Sequence, residues 1–431
     1  MLKKILGTAL TRILNTVFNL VILYLITNKI GAEGLGIIGL VIIDITVIQL
    51  IVEMVAGSAI IYFASRTNIG KLLIPAYAWI GIVILLFYLL LKLFASHFPE
   101  MYLTAIPEGY ESQVLGLGLL SALMTTHYNL LLGKGRIKTY NQIFTIQITV
   151  FLSVFLIKLL HFKQYTPESY FTAMYFAYAV AAITSFSVVL KISGKLIVRG
   201  WKAMTIQVVK FGLVSQVANI LNIGNKRISY YFVKFFLGLQ PLGIYYAGIQ
   251  LTEGLRIIGQ SIALVQFSTI SNSENRQYAK ELTIKLMKFS VLLTILAVTV
   301  LILIPQEIYG LVLSKDFTEV KPVVYALAPG VVALVANNIF SHYFSGTGRP
   351  KVNLWSNVVG FVFTIILAFI LIPAFGIVGA SVTASVSYIS TIIYQYFVFK
   401  NETGTKWKEW IPGKADVTDM VVLIKALKEK M

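Results

Sequence analysis

The chain has 431 residues, of which 57% are hydrophobic and 13% charged, where a soluble globular chain carries about a quarter charged residues. It contains no cysteine, which excludes disulfides and thiolate chemistry. Lysine and arginine outnumber aspartate and glutamate by 36 to 18; in a soluble protein that excess points to nucleic acid, but with a mean hydropathy of +0.81 it reads as cationic loops held on the cytoplasmic face of a membrane, with no nucleic-acid partner.

Apolar runs of about 20 residues, each long enough to cross a bilayer, recur along the whole length. They predict about twelve helices, near residues 6–27, 36–62, 72–94, 112–132, 139–161, 168–191, 207–235, 242–267, 283–305, 322–345, 352–373 and 376–399. Barrel strands would alternate apolar and polar residues instead, so the expected fold class is an all-α polytopic membrane protein. The first span carries Arg12, Asn15 and Asn19, whose spacing of three and four places them on one helix face. The second carries Asp44, Gln49 and Glu53, the seventh Asn219, Asn222, Lys226 and Arg227, and the eighth Glu253 and Arg256. The second and eighth are long for a ~30 Å core, so tilt or extension beyond it is expected.

Alternate loops differ in charge. One set holds Lys3 and Lys4, Arg66 and Lys71, Lys134, Arg136 and Lys138, then Lys191, Lys195, Arg199 and Lys202, and continues through Arg276, Arg349 and Lys351 to the tail after Lys400. The other set is acidic, mixed or uncharged, as in "FPEMYLTAIPEGYE" and "IPAFG". The cationic set is placed in the cytoplasm with both termini. In the tail, "DVTDMVVLIKALKEKM" reads as a short amphipathic helix on the inner leaflet or as a frayed basic end.

The chain also repeats itself. "GAEGLGIIGL" at Gly31 matches "GLQPLGIYYA" at Gly238, a shift of 207; "GKGRIKTYN" at Gly133 matches "GTGRPKVNL" at Gly346, a shift of 213. Six helices follow six helices, a parallel repeat about an axis along the membrane normal, with halves at residues 1–200 and 201–400 and a tail at 401–431. Under the shift of 207, Thr8, Arg12, Asn15 and Asn19 fall on Ser215, Asn219, Asn222 and Lys226. Two polar stripes at matching positions imply a shared polar space; a single stripe would equally serve as glue between helices.

A charge at mid-membrane costs at least about 2.5–3.5 kcal/mol on insertion scales. The deep charges are Arg12, Lys226, Arg227 and Arg256 against Asp44, Glu53 and Glu253. Glu253 and Arg256, three apart, are placed to pair with each other. The cationic surplus favours an anionic ligand, and the arginine fork suits phosphate. No Walker loop or HExxH motif is present: "GKGR" and "GTGR" lack the spacing for a phosphate loop. No catalytic residue, metal or cofactor is implied.

Twelve spans in two halves, "GAEGLGIIGL" entering the second, Gly-x-Gly-Arg turns after the fourth and tenth, and "PAFGIVGASVTASVS" entering the twelfth together resemble the polysaccharide-export flippases. These are the Wzx-type O-antigen and repeat-unit flippases of the multidrug/oligosaccharidyl-lipid/polysaccharide exporter superfamily. The twelve spans resemble the fourteen-span lipid II flippase less. The resemblance implies a transporter, not an enzyme, with the V-shaped fold of the superfamily. It implies transfer of undecaprenyl-pyrophosphate-linked oligosaccharide across the bacterial cytoplasmic membrane by alternating access through a cationic central cavity. It makes Arg12, Asn15, Asn19, Asn219, Asn222, Lys226, Arg227 and Arg256 candidate cavity residues, with Asp44, Glu53 and Glu253 as candidate coupling acids. The implied partners are the lipid-linked oligosaccharide, membrane lipids and a polysaccharide polymerase or chain-length machinery. Two alternatives are a cation-coupled drug exporter of the same fold and a membrane-embedded glycan polymerase or ligase. An acidic cavity would favour the first and a large external loop the second; the sequence shows neither.

Overall fold

The computed structural model describes residues 17–193, 200–271 and 275–411. In chain order the helices are α1 (Val17–Lys29), then α2 (Gly31–Ala56), α3 (Ser58–Ala64), α4 (Gly70–His97), α5 (Pro99–Ala105), α6 (Glu111–Gly133), α7 (Ile137–Leu156), α8 (Pro167–Ser193), α9 (Trp201–Leu237), α10 (Leu239–Glu253), α11 (Arg256–Ser271), α12 (Arg276–Leu303), α13 (Gln306–Leu313), α14 (Val320–Gly346) and α15 (Lys351–Thr403). A π turn extends α7 through Ile157–His161, and short 3-10 turns cover Lys315–Phe317 and Trp407–Trp410. There is no strand among the described residues.

Eight stretches of described helix are long and apolar enough to cross a membrane. The expected spans that do not appear separately have physical reasons. The 53-residue α15 holds two of them, parted at Gly376, whose φ of 59° and ψ of −139° are not helical; Pro373 and this glycine make the turn. The 37-residue α9 carries the polar stripe that lowers its hydropathy. The eighth span, expected to be continuous, is broken at Gly254 and Leu255 into α10 and α11. The second span is broken too, at Gly57 between α2 and α3. Both spans thus meet their excess length with a glycine break. Each break follows a carboxylate: Glu253 immediately before Gly254, and Glu53 one turn before Gly57.

The repeat has a counterpart in the backbone. Gly31 and Gly238, 207 apart, have φ of 90° and 91°; Gly135 and Gly348, 213 apart, have φ of 68° and 78°. These left-handed conformations favour glycine. Two short helices, α5 and α13, also stand 207 residues apart. Sequence reading left both as loops, because seven or eight residues are too few to show a period.

Contacts divide the chain into two packing units. The first comprises Met1–Ile223, Tyr230–Ala247 and Gly310–Phe317; the second comprises Gly224–Ser229, Gly248–Tyr309 and Thr318–Met431. These units are distinct from the repeat halves, whose boundary near residue 200 stays a proposal. Within the first unit the repeat meets itself. A side chain on Gly36 would strike the carbonyl of Leu239, and one on Gly243 would strike that of Ala32. Leu239 and Gly243 are the repeat partners of Ala32 and Gly36, so the contact is two-fold symmetric, as between identical subunits. Small residues four apart allow that backbone approach. Nearby, the Asn28 amide at the end of α1 donates to the Val312 carbonyl of α13 at 2.6 Å, and the Lys234 ammonium near the end of α9 donates to the Leu103 carbonyl of α5. Each repeat's first helix is fastened to the short helix, α13 or α5, of the other repeat.

Two crossed pairs follow from this arrangement. With no native cysteine, Asn28→Cys with Val312→Cys, and Lys234→Cys with Leu103→Cys, should each be joined by a short bifunctional thiol reagent. The uncrossed pair Asn28→Cys with Leu103→Cys should stay open. Equal joining of crossed and uncrossed pairs in folded protein would contradict the exchange.

Candidate cationic binding site

The break between α10 and α11 leaves Glu253 as the last residue of one helix and Arg256 as the first of the next. A carboxylate at a helix C-terminus is repelled by the helix dipole and needs cations nearby. Arg227 of α9 supplies one, its Nη2 lying 2.8 Å from Glu253 Oε2. Arg256 supplies a second, with Nη1 3.7 Å from the same oxygen. The local pairing expected from the three-residue spacing is therefore present, but the α9 arginine is the closer partner. These side chains keep 26% (Arg227), 15% (Glu253) and 19% (Arg256) of their exposure. Glu253 Oε1 and Arg256 Nε are buried with no hydrogen-bond partner. Lys226, half-buried, adjoins Arg227 on α9. All four residues lie in the second unit. Two guanidiniums thus meet one carboxylate.

Asn225 orients this part of α9. It is 5% exposed, and its Oδ1 accepts the hydroxyl of Thr364 at 2.6 Å and that of Ser387. Gly360 lies beneath, where a side chain would strike Asn225 and Thr391. Successive helical residues point about 100° apart. With Asn225 fixed towards α15, Lys226 and Arg227 are turned away from it, by about one and two such steps. Sequence reading placed Lys226 and Arg227 among the deep charges and passed over the adjacent amide, whose partners lie 139 and 162 residues away.

The other expected residues are distributed differently. Arg12 and Asn15 lie outside the described residues. Asn19 is exposed on α1, and Asn219 and Asn222 are half-buried on α9, seven and four positions before Lys226 on the same face. Asp44 belongs to the first unit. It is buried, accepts the Tyr231 hydroxyl at 2.7 Å on Oδ1, and has no partner on Oδ2. Glu53 accepts the Gln216 amide at 3.3 Å, and that amide also reaches the Leu50 carbonyl at 3.1 Å. Tyr231 and Gln216 were not foreseen. His127 lies between the Tyr77 hydroxyl at 2.8 Å and Ser185 Oγ at 3.0 Å, a satisfied structural position.

Asn225→Leu keeps the branched shape and removes the acceptor that Thr364 and Ser387 share, leaving their hydroxyls the Gly360 carbonyl and each other. Losing two such hydrogen bonds costs about 0.5–1.5 kcal/mol each, so thermal unfolding of the purified protein should show a lower midpoint. An unchanged midpoint would mean that Asn225 does not hold α9.

Residues 246–422 match the model of the family described as polysaccharide biosynthesis protein. A probable low-salt glycan biosynthesis flippase, Agl15 of Haloferax volcanii, is 27% identical over 170 residues, 38% of this chain and 36% of the relative. The match thus spans about a third of that relative's length. The lipid II flippase MurJ, in an inward closed conformation, shares the fold with a TM-score of 0.73 at 14% identity, over 100% of this chain and 93% of that one. An inward-facing multidrug transporter of the MATE family does so with a TM-score of 0.67 at 14% identity, over 92% and 99%. The fold thus extends to the lipid II flippase that the span count had set further off. Together these findings bear out the resemblance to the polysaccharide flippases read from the sequence, and the fold is the one that the lipid II flippase and the MATE transporter share.

Proposed function

We propose that the protein flips undecaprenyl-pyrophosphate-linked oligosaccharide from the inner to the outer leaflet of a bacterial cytoplasmic membrane, both termini facing the cytoplasm. The observation that carries this reading is the pair of guanidiniums, Arg227 and Arg256, that meet the single carboxylate of Glu253 at a broken helix. Discontinuous helices are where transporters of several folds bind charged substrates. A pyrophosphate diester carries about two negative charges and is met by guanidinium forks that donate paired hydrogen bonds. With the cytoplasm negative, outward movement of those charges gains about 2.3 kcal/mol per charge per 100 mV if the whole field is crossed.

The movement is alternating access. A symmetric contact such as that of Ala32 and Gly36 with Leu239 and Gly243 supports it, since packed interfaces switch between discrete arrangements rather than deform smoothly. Asp44 and Glu53, each with a neutral hydrogen-bond partner, are the candidates for ion coupling. A drug exporter for organic cations would favour an acidic site, and this cluster is cationic.

Leaflet assignment of a labelled undecaprenyl-pyrophosphate oligosaccharide in proteoliposomes tests the reading. The protein should transfer the label, and Arg227→Ala/Arg256→Ala should slow transfer by about one to two decades, the equivalent of roughly 1.5–3 kcal/mol of charge-assisted hydrogen bonding. Undiminished transfer by the folded double variant would contradict the role of the cluster. Transport of organic cations in place of the lipid would contradict the function.

A further inference from the structure

Within the first unit, α9 also meets α2 and α3 at the end of α2 that lies away from Gly36. Gly212 sits so close to Met54 that a side chain on it would strike the Met54 carbonyl. That oxygen is open to approach because α2 ends two residues later, at Ala56, and the last carbonyls of a helix lack partners within it. One turn further along α9, Gln216 is 4% exposed, and its amide donates to the Leu50 carbonyl at 3.1 Å. Beside Gly212, the Phe211 ring stacks on Tyr62 of α3 with centres 4.6 Å apart. The Arg66 guanidinium lies over the same tyrosine, 3.8 Å from its ring centre. From Leu50 to Tyr62 is twelve residues, about 18 Å of helix and more than half of a ~30 Å hydrocarbon core.

This contact differs in kind from the one at Gly36 and Gly243. That one joins repeat partners and is two-fold symmetric. Here the counterparts of Phe211, Gly212 and Gln216, 207 residues earlier, are Lys4, Ile5 and Ala9, and the counterpart of Tyr62 is Thr269. The stacking ring, the bare backbone and the amide are each missing from the other copy of the sequence. The chain also passes from the first repeat to the second at this end. Seven residues separate α8 from α9, and α9 begins at Trp201, ten residues before Phe211. A short tether keeps the surfaces it joins at high effective concentration. Hinges are a few residues at the ends of elements, and Gly57, where α2 gives way to α3 at φ −90° and ψ −127°, lies inside the contact. Gly36 stands eighteen residues from Met54, about 27 Å of helix. That lever is long enough for a small tilt at Met54 to part the backbones at Gly36.

We propose that the contact of Met54 and Tyr62 with Gly212 and Phe211 is the hinge of the transport cycle. It stays closed in every state, while the Gly36 and Gly243 contact opens and closes about it. The proposal rests on the alternating-access reading and names the part that does not move. The two ends of α2 then have different tasks: a fixed pivot at Met54 and a gate at Gly36.

Cysteine pairs in the full-length protein test it, since there is no native cysteine. Tyr62→Cys/Phe211→Cys marks the hinge, and Asn28→Cys/Val312→Cys marks the gate end. Each pair is joined by a short cleavable bis-thiol reagent in proteoliposomes holding a labelled undecaprenyl-pyrophosphate oligosaccharide. Flipping is measured before joining, after joining and after cleavage. Joining the hinge pair should leave the rate within about twofold, and joining the gate pair should cut it at least tenfold until the link is cleaved. Spin labels on the same pairs give a readout that needs no transported lipid: one distance at the hinge pair and two at the gate pair. A loss of flipping on joining the hinge pair that cleavage restores, or a second distance there, would overturn the hinge. Flipping that survives joining at both ends would overturn it too, because nothing would then turn about the pivot. Distances as expected in a protein that moves no lipid keep the hinge and defeat the flippase reading.

Discussion

Glu253 ends α10 with Arg227 at 2.8 Å and Arg256 at 3.7 Å, and much of the surrounding architecture follows from keeping those charges in a membrane protein. Each charge alone would cost at least about 2.5–3.5 kcal/mol at mid-membrane, and together they offset part of that cost. The pairing needs a broken helix, because Gly254 and Leu255 separate the carboxylate from Arg256. It needs α9 at one rotation, which Asn225 secures through Thr364 and Ser387. A buried ion pair stabilises weakly at best, and its retention is better explained by what it positions. Here it holds two guanidiniums around one carboxylate, the arrangement that the proposed anion site needs.

The symmetric contact at Gly36 and Gly243 works on a different scale. It brings two repeat-equivalent helices to backbone distance, so neither glycine can gain a side chain without moving a carbonyl. The crossed fastenings of Asn28 to Val312 and Lys234 to Leu103 lie in the same unit. Few polar bonds are involved, and such a contact is well suited to form and release in a transport cycle. In the proposed function the charged cluster holds the ligand and the symmetric contact opens and closes to move it.

What was legible in the sequence is what has a local signature. Apolar length located the helices from the second span onward, and the glycines at 31 and 238 and at 135 and 348 revealed the repeat and then adopted matching backbone angles. The three-residue spacing of Glu253 and Arg256 foretold their contact. The break at Gly254 was not legible, since one glycine in an apolar run ordinarily leaves a helix intact at a cost of about 1 kcal/mol. Asn225 with Ser387, Asp44 with Tyr231 and Glu53 with Gln216 are pairings across more than 160 residues, set by packing that no local pattern encodes. The twofold surplus of basic residues in the composition was read as cytoplasmic loops, and the expectation of an anionic ligand came from the charges placed deep in the spans.

Equilibrium binding of inorganic pyrophosphate to the purified full-length protein, measured calorimetrically at low salt, tests most directly whether the cluster around Glu253 is an anion site. The account predicts saturable binding that weakens by one to two decades in Arg227→Ala/Arg256→Ala and recovers only in part in Arg227→Lys/Arg256→Lys, which keeps the charge and loses the fork. Equal affinity in the native protein and the folded alanine variant would contradict it.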